Sequence, residues 1–355
     1  MNIKIITSEE TKEKPDQSDL GFGKHFTDYM FEMDYIDGQG WANPTIKPHV
    51  PFLMDPSSLV LHYGQTVFEG MKAYKSKEGK TLLFRPEKNF ERLNISSHRM
   101  CIPPIDVTIA MEALIELLKF EEKWIPIKDG TSLYIRPFIF ANQQTLGVAP
   151  SASYKFMIIL TPVGAYYAEG FSPVKIYVEQ KYVRAVPGGV GNAKTAGNYA
   201  ASIRAQYEAK KKGYSQVLWL DGCEHKYVEE VGTMNVFFKV NGEIITPVLN
   251  GSILSGITRD SVIQLLRGNG YSVTERKVEI AEIFKAAENG ELEEVFGTGT
   301  AAVISPVGEL ATDDEKIIIS EGKVGKLSQW LYDELTDIQT GNKPDTFSWV
   351  KTLDT

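Results

Sequence analysis

Lys194 lies in the stretch Val186–Tyr199, where Gly188, Gly189 and Gly191 precede it. Those glycines let the backbone take positive φ values and come close to a ligand, and they deliver the lysine just ahead of a helical pattern. A single lysine is most often a solvated surface cation. One surrounded by small residues in so special a loop reads as a positioned amine rather than a merely solvated one. Gly188 to Thr195 also nearly fits GxxxxGK[ST], the phosphate loop of nucleotide hydrolases, and Asp221 closes an apolar run as a magnesium carboxylate would. That fit fails at Ala193, where the loop needs glycine to wrap phosphates. Asp221-Gly222 reads better as a turn after a strand. His25, His49, His62, His98 and His225 show no metal-binding spacing, and Cys101 and Cys223 make neither CxxC nor a disulfide framework.

The elements that must hold this loop are mixed. Met71–Lys75 and Thr81–Phe84, joined through Lys77-Glu78-Gly79, predict a hairpin. Pro86 opens a helix, and Asp106 caps a second over 107–123 with Ile109, Met111, Leu114, Ile115 and Leu118 on one face. Ser132–Phe140 and Lys155–Thr161 read as buried strands. Farther on, Val174–Glu179 and Ser215–Leu220 read as strands flanking a helix over 195–211 that stops at Gly213. Asn241-Gly242 marks a hairpin between 234–240 and 243–246. A helix from Ser255 is expected to end at Gly268, and a strand over 293–296 to run into a turn at 297–300. The fold class is mixed α and β (α+β) in two domains. A smaller one spans 1–163, a linker 164–173, and a larger one 174–355.

The chain has 355 residues, 43% hydrophobic and 24% charged, the balance of an ordinary globular protein. Its formal net charge is −8, and Lys210–Lys212 is the longest basic run. That argues against nucleic acid or an anionic membrane as a partner. The N-terminus lacks the apolar core of a signal peptide and the Arg-rich, acid-poor look of a transit peptide, and no apolar window is long enough to span a bilayer. The expectation is a cytoplasmic protein acting on small molecules.

At this point a resemblance becomes specific. GVGNAKTAGNY at 189–199 resembles the cofactor-lysine region of the branched-chain amino-acid aminotransferases, fold type IV enzymes of pyridoxal 5'-phosphate. LHYGQTVFEGMKAY at 61–74, LFRPEKNFERL at 83–93, YIRP at 134–137, EVGTMNVF at 230–237, LSGITR at 254–259 and GTGTAA at 297–302 are similar to further blocks of that family. They follow the family's order through most of the chain.

The resemblance implies Lys194 as the residue that attaches the cofactor and then moves the substrate proton. Glu229 and Glu230 compete for the pyridine nitrogen; on a strand they face opposite sides, and the family's glutamate directly before ValGlyThr corresponds to Glu230. Arg92, the backbone at Ile257 and Thr258, and Thr300 are implied as the phosphate cradle. Tyr199 corresponds to the tyrosine near the cofactor's phenolic oxygen. Five residues apart on one helix, Lys194 and Tyr199 would diverge by about 140°, so Lys194 is expected ahead of the helix.

For substrate, the resemblance implies an apolar pocket of Tyr63, Phe68, Tyr134 and Thr233. Ala301 and Thr300 stand where the α-carboxylate is received, and Arg136 is there for the distal carboxylate of glutamate. The implied reaction moves the amino group of L-leucine, L-isoleucine or L-valine to 2-oxoglutarate, in two stages through pyridoxamine phosphate, with the site between the domains of at least a homodimer. D-amino-acid aminotransferases and aminodeoxychorismate lyases share the lysine and glutamate but differ around Tyr63 and Tyr134. A nucleotide hydrolase and a non-catalytic binding protein of this fold are the rivals from other classes. Mammalian members carry a CxxC switch where Ala302–Ser305 stand here, so thiol regulation at that place is not expected.

Overall fold

The computed structural model describes residues 2–164 and 171–353. Contacts divide the chain into two compact units. One comprises Met1–Tyr166, Ala193–Ala196 and Asp337–Thr355; the other comprises Tyr167–Asn192 and Gly197–Thr336. Of the expected linker, residues 165–170 lie outside the described residues.

The first unit is built on a nine-stranded sheet centred on the antiparallel pair Ser132–Ala141 and Ser153–Val163. Outward from that pair run Tyr29–Ile36, Gly40–Pro48 and Lys4–Ile5 on one side. Met71–Lys75, Thr81–Phe84 and Val350–Leu353 lie on the other, with Thr66–Phe68 also paired to Ser132–Ala141. Leu133, Ile135, Phe156 and Ile158 share one buried cluster with Phe90 and Leu93 of the helix Pro86–Arg99 and with Leu114 and Leu117 of Val107–Phe120. Each such side chain contributes about 1.5–3 kcal/mol.

Pro86 takes the first helical position as expected, and Asp106 caps the second helix by accepting from the N–H groups of Thr108 and Ile109. That helix ends at Phe120, short of 123, and a 3₁₀ turn follows at Glu122–Trp124. The tertiary reason is local: the Glu121 carboxylate accepts the Tyr29 N–H, and the Trp124 indole donates to Asp28 at 2.8 Å. The apolar run at Leu59–Tyr63 is a short helix closed by left-handed Gly64.

The second unit also carries a nine-stranded sheet. Its order is Val228–Val231, Gln216–Leu220, Val174–Glu179, Val303–Ala311, Leu292–Gly299, Asn235–Val240, Glu243–Pro247 and Val273–Arg276, with Lys316–Ile318 paired to Val303–Ala311. Val174–Glu179 and Gln216–Leu220 run parallel, which requires a crossover; the helix Ala196–Lys211 lies between them in the chain. Asn241 and Gly242 both have positive φ, so the turn twists with its strands.

Three expectations are corrected. Residues 337–355, placed by sequence in the C-terminal domain, belong with the first unit, because Val350–Leu353 pairs antiparallel with Thr81–Phe84. The helix expected from Ser255 begins at Ile257, with Gly256 as its N-cap, while its last residue is Gly268 as expected. The strand expected at 293–296 runs on to Gly299, since Thr298 still pairs with Asn235; the turn is therefore confined to residues 300–302. No helix among the described residues is long and apolar enough to cross a membrane.

Candidate active site

In the first unit, Lys194 is held by its backbone. Its N–H donates to the Ser96 hydroxyl at 2.8 Å, and its carbonyl accepts the Phe68 N–H at 3.0 Å. Thr195 forms a bridge to Val67, and its hydroxyl donates to the Thr66 carbonyl at 2.7 Å. The lysine is thus stitched beside Thr66–Phe68, and the helix begins only at Ala196, as the spacing to Tyr199 requires. With Thr195 structural, the phosphate-loop reading loses its magnesium hydroxyl.

The Lys194 amine lies 5.1 Å from the centre of the Phe68 ring, and the Arg136 guanidinium lies 4.7 Å from that ring and 5.3 Å from the Tyr134 ring. Arg136 also donates to the Tyr134 hydroxyl at 3.1 Å, while its Nε is buried with no partner among the described residues. Two cations therefore share one aromatic wall. Gly70 is obligatory beside them, since a Cβ there would stand 1.9 Å from the Tyr134 hydroxyl. Tyr63 differs: it is 44% exposed, and its hydroxyl donates to the Leu146 carbonyl at 2.6 Å.

Arg92 is buried and paired in a fork with Glu69, Nε to Oε1 at 2.8 Å and Nη2 to Oε2 at 2.9 Å. Asn89 donates to the same carboxylate at 2.8 Å. Burial pushes the Glu69 acid up, but the Arg92 charge and hydrogen bonds, with the Lys194 charge, bring it below its ordinary value. Sequence reasoning missed Glu69; its one signal was an acid within the otherwise apolar run from Val67 to Met71.

In the second unit, Val228–Val231 places Glu229 and Glu230 on opposite faces, both buried. Glu230 Oε1 accepts the Leu254 N–H at 2.8 Å, and Arg184 Nη2 stands 3.2 Å from it. Glu229 Oε1 accepts from Asn250 at 3.2 Å and from the Ser252 hydroxyl. Arg184, also missed, gave no signal beyond a cation ten residues before Lys194. Asp221 holds its own loop: its two oxygens accept N–H groups of Cys223, Glu224, Lys226 and Tyr227, which against burial bring its pKa to about 2. That leaves it no magnesium role.

Ile257 and Thr258 open the helix Ile257–Gly268, whose N-cap, Gly256, supplies no side-chain cap. A Cβ at Gly256 would stand 2.0 Å from Asn235 Oδ1, and Asn235 Nδ2 in turn donates to the Leu254 carbonyl at 2.9 Å. Across the strand pair from Asn235, the Thr298 hydroxyl is buried without a partner among the described residues. Thr233 lies exposed in the turn before Asn235–Val240; Thr300 and Ala301 are half-buried in the turn after Gly299; Tyr199 is half-buried in the first turns of its helix.

The class IV amino-transferase family model matches residues 66–310. Branched-chain-amino-acid aminotransferase 2 of Bacillus subtilis is 58% identical over 348 residues, 98% of this chain and 96% of the relative. The chain belongs to the class IV aminotransferases, among the branched-chain amino-acid enzymes. Branched-chain-amino-acid transaminase 1 of the same organism is 57% identical over 98% of this chain and 99% of its own length. Among solved structures, the Escherichia coli branched-chain amino acid aminotransferase superposes with a TM-score of 0.75 at 28% identity, covering 91% of this chain and 98% of that one. A T.th. branched-chain amino acid aminotransferase solved with pyridoxamine 5'-phosphate gives 0.73, also at 28%, over 90% of this chain and 97% of that one. The fold is therefore that of the fold type IV enzymes.

Class IV aminotransferases work with pyridoxal phosphate, and the residues of each unit, taken by itself, fit a part of that group. A backbone-fixed lysine suits its aldehyde, and a buried carboxylate braced by an arginine and an N–H suits its pyridine nitrogen. A helix N-terminus without a side-chain cap, in the unit that also carries the Thr298 hydroxyl, suits its phosphate.

Proposed function

We propose that this class IV aminotransferase moves the amino group of L-leucine, L-isoleucine or L-valine to 2-oxoglutarate, with Lys194 as its catalytic residue. When bound, pyridoxal phosphate supplies the electron sink that makes the substrate Cα–H acidic. Lys194 Nζ takes and returns that proton. Glu230, beside Arg184 and accepting the Leu254 N–H, holds a proton at the pyridine nitrogen. Arg92, the Ile257 and Thr258 amides and Thr300 bind the phosphate, and Tyr199 meets the phenolic oxygen. Phe68, Tyr134, Tyr63 and Thr233 contact the aliphatic side chain, and Ala301 lies beside the α-carboxylate.

The observation that carries this reading is the pairing of Lys194 and Arg136 on the Phe68 ring. It sets an amine able to act at Cα near a guanidinium able to take the second carboxylate of glutamate, on a wall apolar enough for leucine. We place the enzyme in the cytoplasm as a homodimer or larger homo-oligomer; exposed, unpaired Cys101 and Cys223 suit a reducing compartment.

The test is the visible spectrum of the purified protein. Leucine alone should bleach the cofactor band, and 2-oxoglutarate should restore it. A band that responds to D-alanine and not to leucine overturns the substrate assignment, and a protein that takes up no cofactor overturns the whole reading.

A further inference from the structure

Behind Glu230, in the same unit, the chain forms a cleft of about 160 Å³ to which Glu229, Asn250, Tyr227, Lys277 and the apolar Pro247 and Val248 contribute. Glu229 is 1% exposed, and its Oε2 is buried with no hydrogen-bond partner among the described residues. A carboxylate oxygen left so is costly unless a donor reaches it. Asp221 and Glu224 also line the cleft; the Asp221 oxygens are committed to four backbone N–H groups and Glu224 is exposed to solvent, so Glu229 Oε2 is the buried acceptor left without a partner among the described residues. Among the described residues Lys277 makes no ion pair; its ammonium stands 4.5 Å from the Tyr227 ring. The cleft thus presents an acceptor, a cation and an apolar wall. Among the described residues no cluster of three metal-ligating side chains occurs, which argues against a metal ion there.

We propose that this cleft is a second binding site, for a small aliphatic α-amino acid whose ammonium meets Glu229 Oε2, whose carboxylate meets Lys277 and whose side chain rests on Pro247 and Val248. The site is wired to Glu230 through one loop. Asn250 and Ser252 hold Glu229, while Leu254 holds Glu230. The Ser252 carbonyl accepts from Arg184, the same guanidinium that flanks Glu230. An occupant that draws on Glu229 therefore moves the groups that brace Glu230, and by linkage cofactor binding alters the occupant's affinity. This coupling, unlike the site, rests on Glu230 being the pyridine partner.

The probe is α-aminoisobutyrate, which has no Cα hydrogen and cannot be transaminated. Titrated calorimetrically into the holoenzyme, it should bind at about millimolar concentration. Lys277→Ala, a surface change, should weaken binding at least about five-fold, and Glu229→Gln about ten-fold or more. Isopropylamine should bind more weakly, and isobutyrate not measurably. Saturating probe should shift the cofactor dissociation constant about three-fold or more in the wild type and leave it unchanged in Lys277→Ala. No binding, or equal binding by wild type and Lys277→Ala, overturns the site and shows that Glu229 is met by water alone. Binding that depends on Lys277 but leaves the cofactor constant unmoved overturns the coupling while the site stands. Displacement of the probe by potassium chloride in preference to sodium chloride would make the occupant an inorganic cation and overturn the amino-acid assignment.

Discussion

The division of labour between two neighbouring glutamates shows how much one strand position decides. Glu230 faces Arg184 and the Leu254 amide, and Glu229 faces Asn250 and Ser252. Glu230→Gln removes the carboxylate proposed to hold the pyridine proton, so kcat should fall by about 10²-fold, whereas Glu229→Gln should cost less than about five-fold. Steady-state rates with leucine decide it, and the reverse order would reassign the pyridine partner. Lys194→Ala should leave no cofactor band that survives gel filtration and no turnover, a loss of at least about 10³-fold. Glu69→Gln should loosen cofactor about ten-fold in equilibrium dialysis, because the Arg92 fork loses its ionic partner; unchanged affinity would remove Arg92 from the phosphate cradle. Strand alternation alone leaves Glu229 and Glu230 both open; Lys194 and Glu230 were proposed from sequence because their immediate neighbours resemble blocks of the family. Glu69, Ser96 and Arg184 were not, because what matters about each is a partner brought near only by folding.

Helices and strands were legible where a local stop signal exists and blurred where a tertiary contact sets the end. Asp106, Pro86 and Asn241-Gly242 each do their work within a few residues, and the elements they bound lie where the sequence puts them. Phe120 ends its helix because Glu121 and Trp124 are engaged by residues near 28, and Gly299 ends its strand because Thr298 has Asn235 across from it. The start of the helix Ile257–Gly268 is where the proposed phosphate cradle takes its backbone amides. Gly256→Ala would drive a Cβ to 2.0 Å from Asn235 Oδ1 and push the first turn aside. The expected cost is about 1–3 kcal/mol of stability together with weaker phosphate affinity. Denaturant melts of the cofactor-free protein and a cofactor titration check the two halves separately.

At the scale of the molecule, pH enters through Glu121, a buried acid of the first unit. Burial raises its pKa to about 7 against the opposing pull of the Tyr29 N–H. Because the folded value lies above the ordinary 4.5, the unfolded chain gives up its proton first as pH rises. The group therefore withdraws stability between those two values and no more above about 7. Glu121→Gln keeps an acceptor for Tyr29 and cannot ionise. Its advantage over wild type should grow from pH 5 to pH 7, by on the order of 1 kcal/mol after screening, and then stay level. Thermal melts across that range test it, and a gap independent of pH would refute it. The strand Val350–Leu353 closes the edge of a sheet whose other members lie before residue 164, whereas the second sheet takes all its strands from 174–318. Translation therefore delivers the second unit complete while the first still waits for an edge. Until residues 350–353 have left the ribosome, Thr81–Phe84 presents a bare hydrogen-bonding flank, an edge on which another chain could pair in their place.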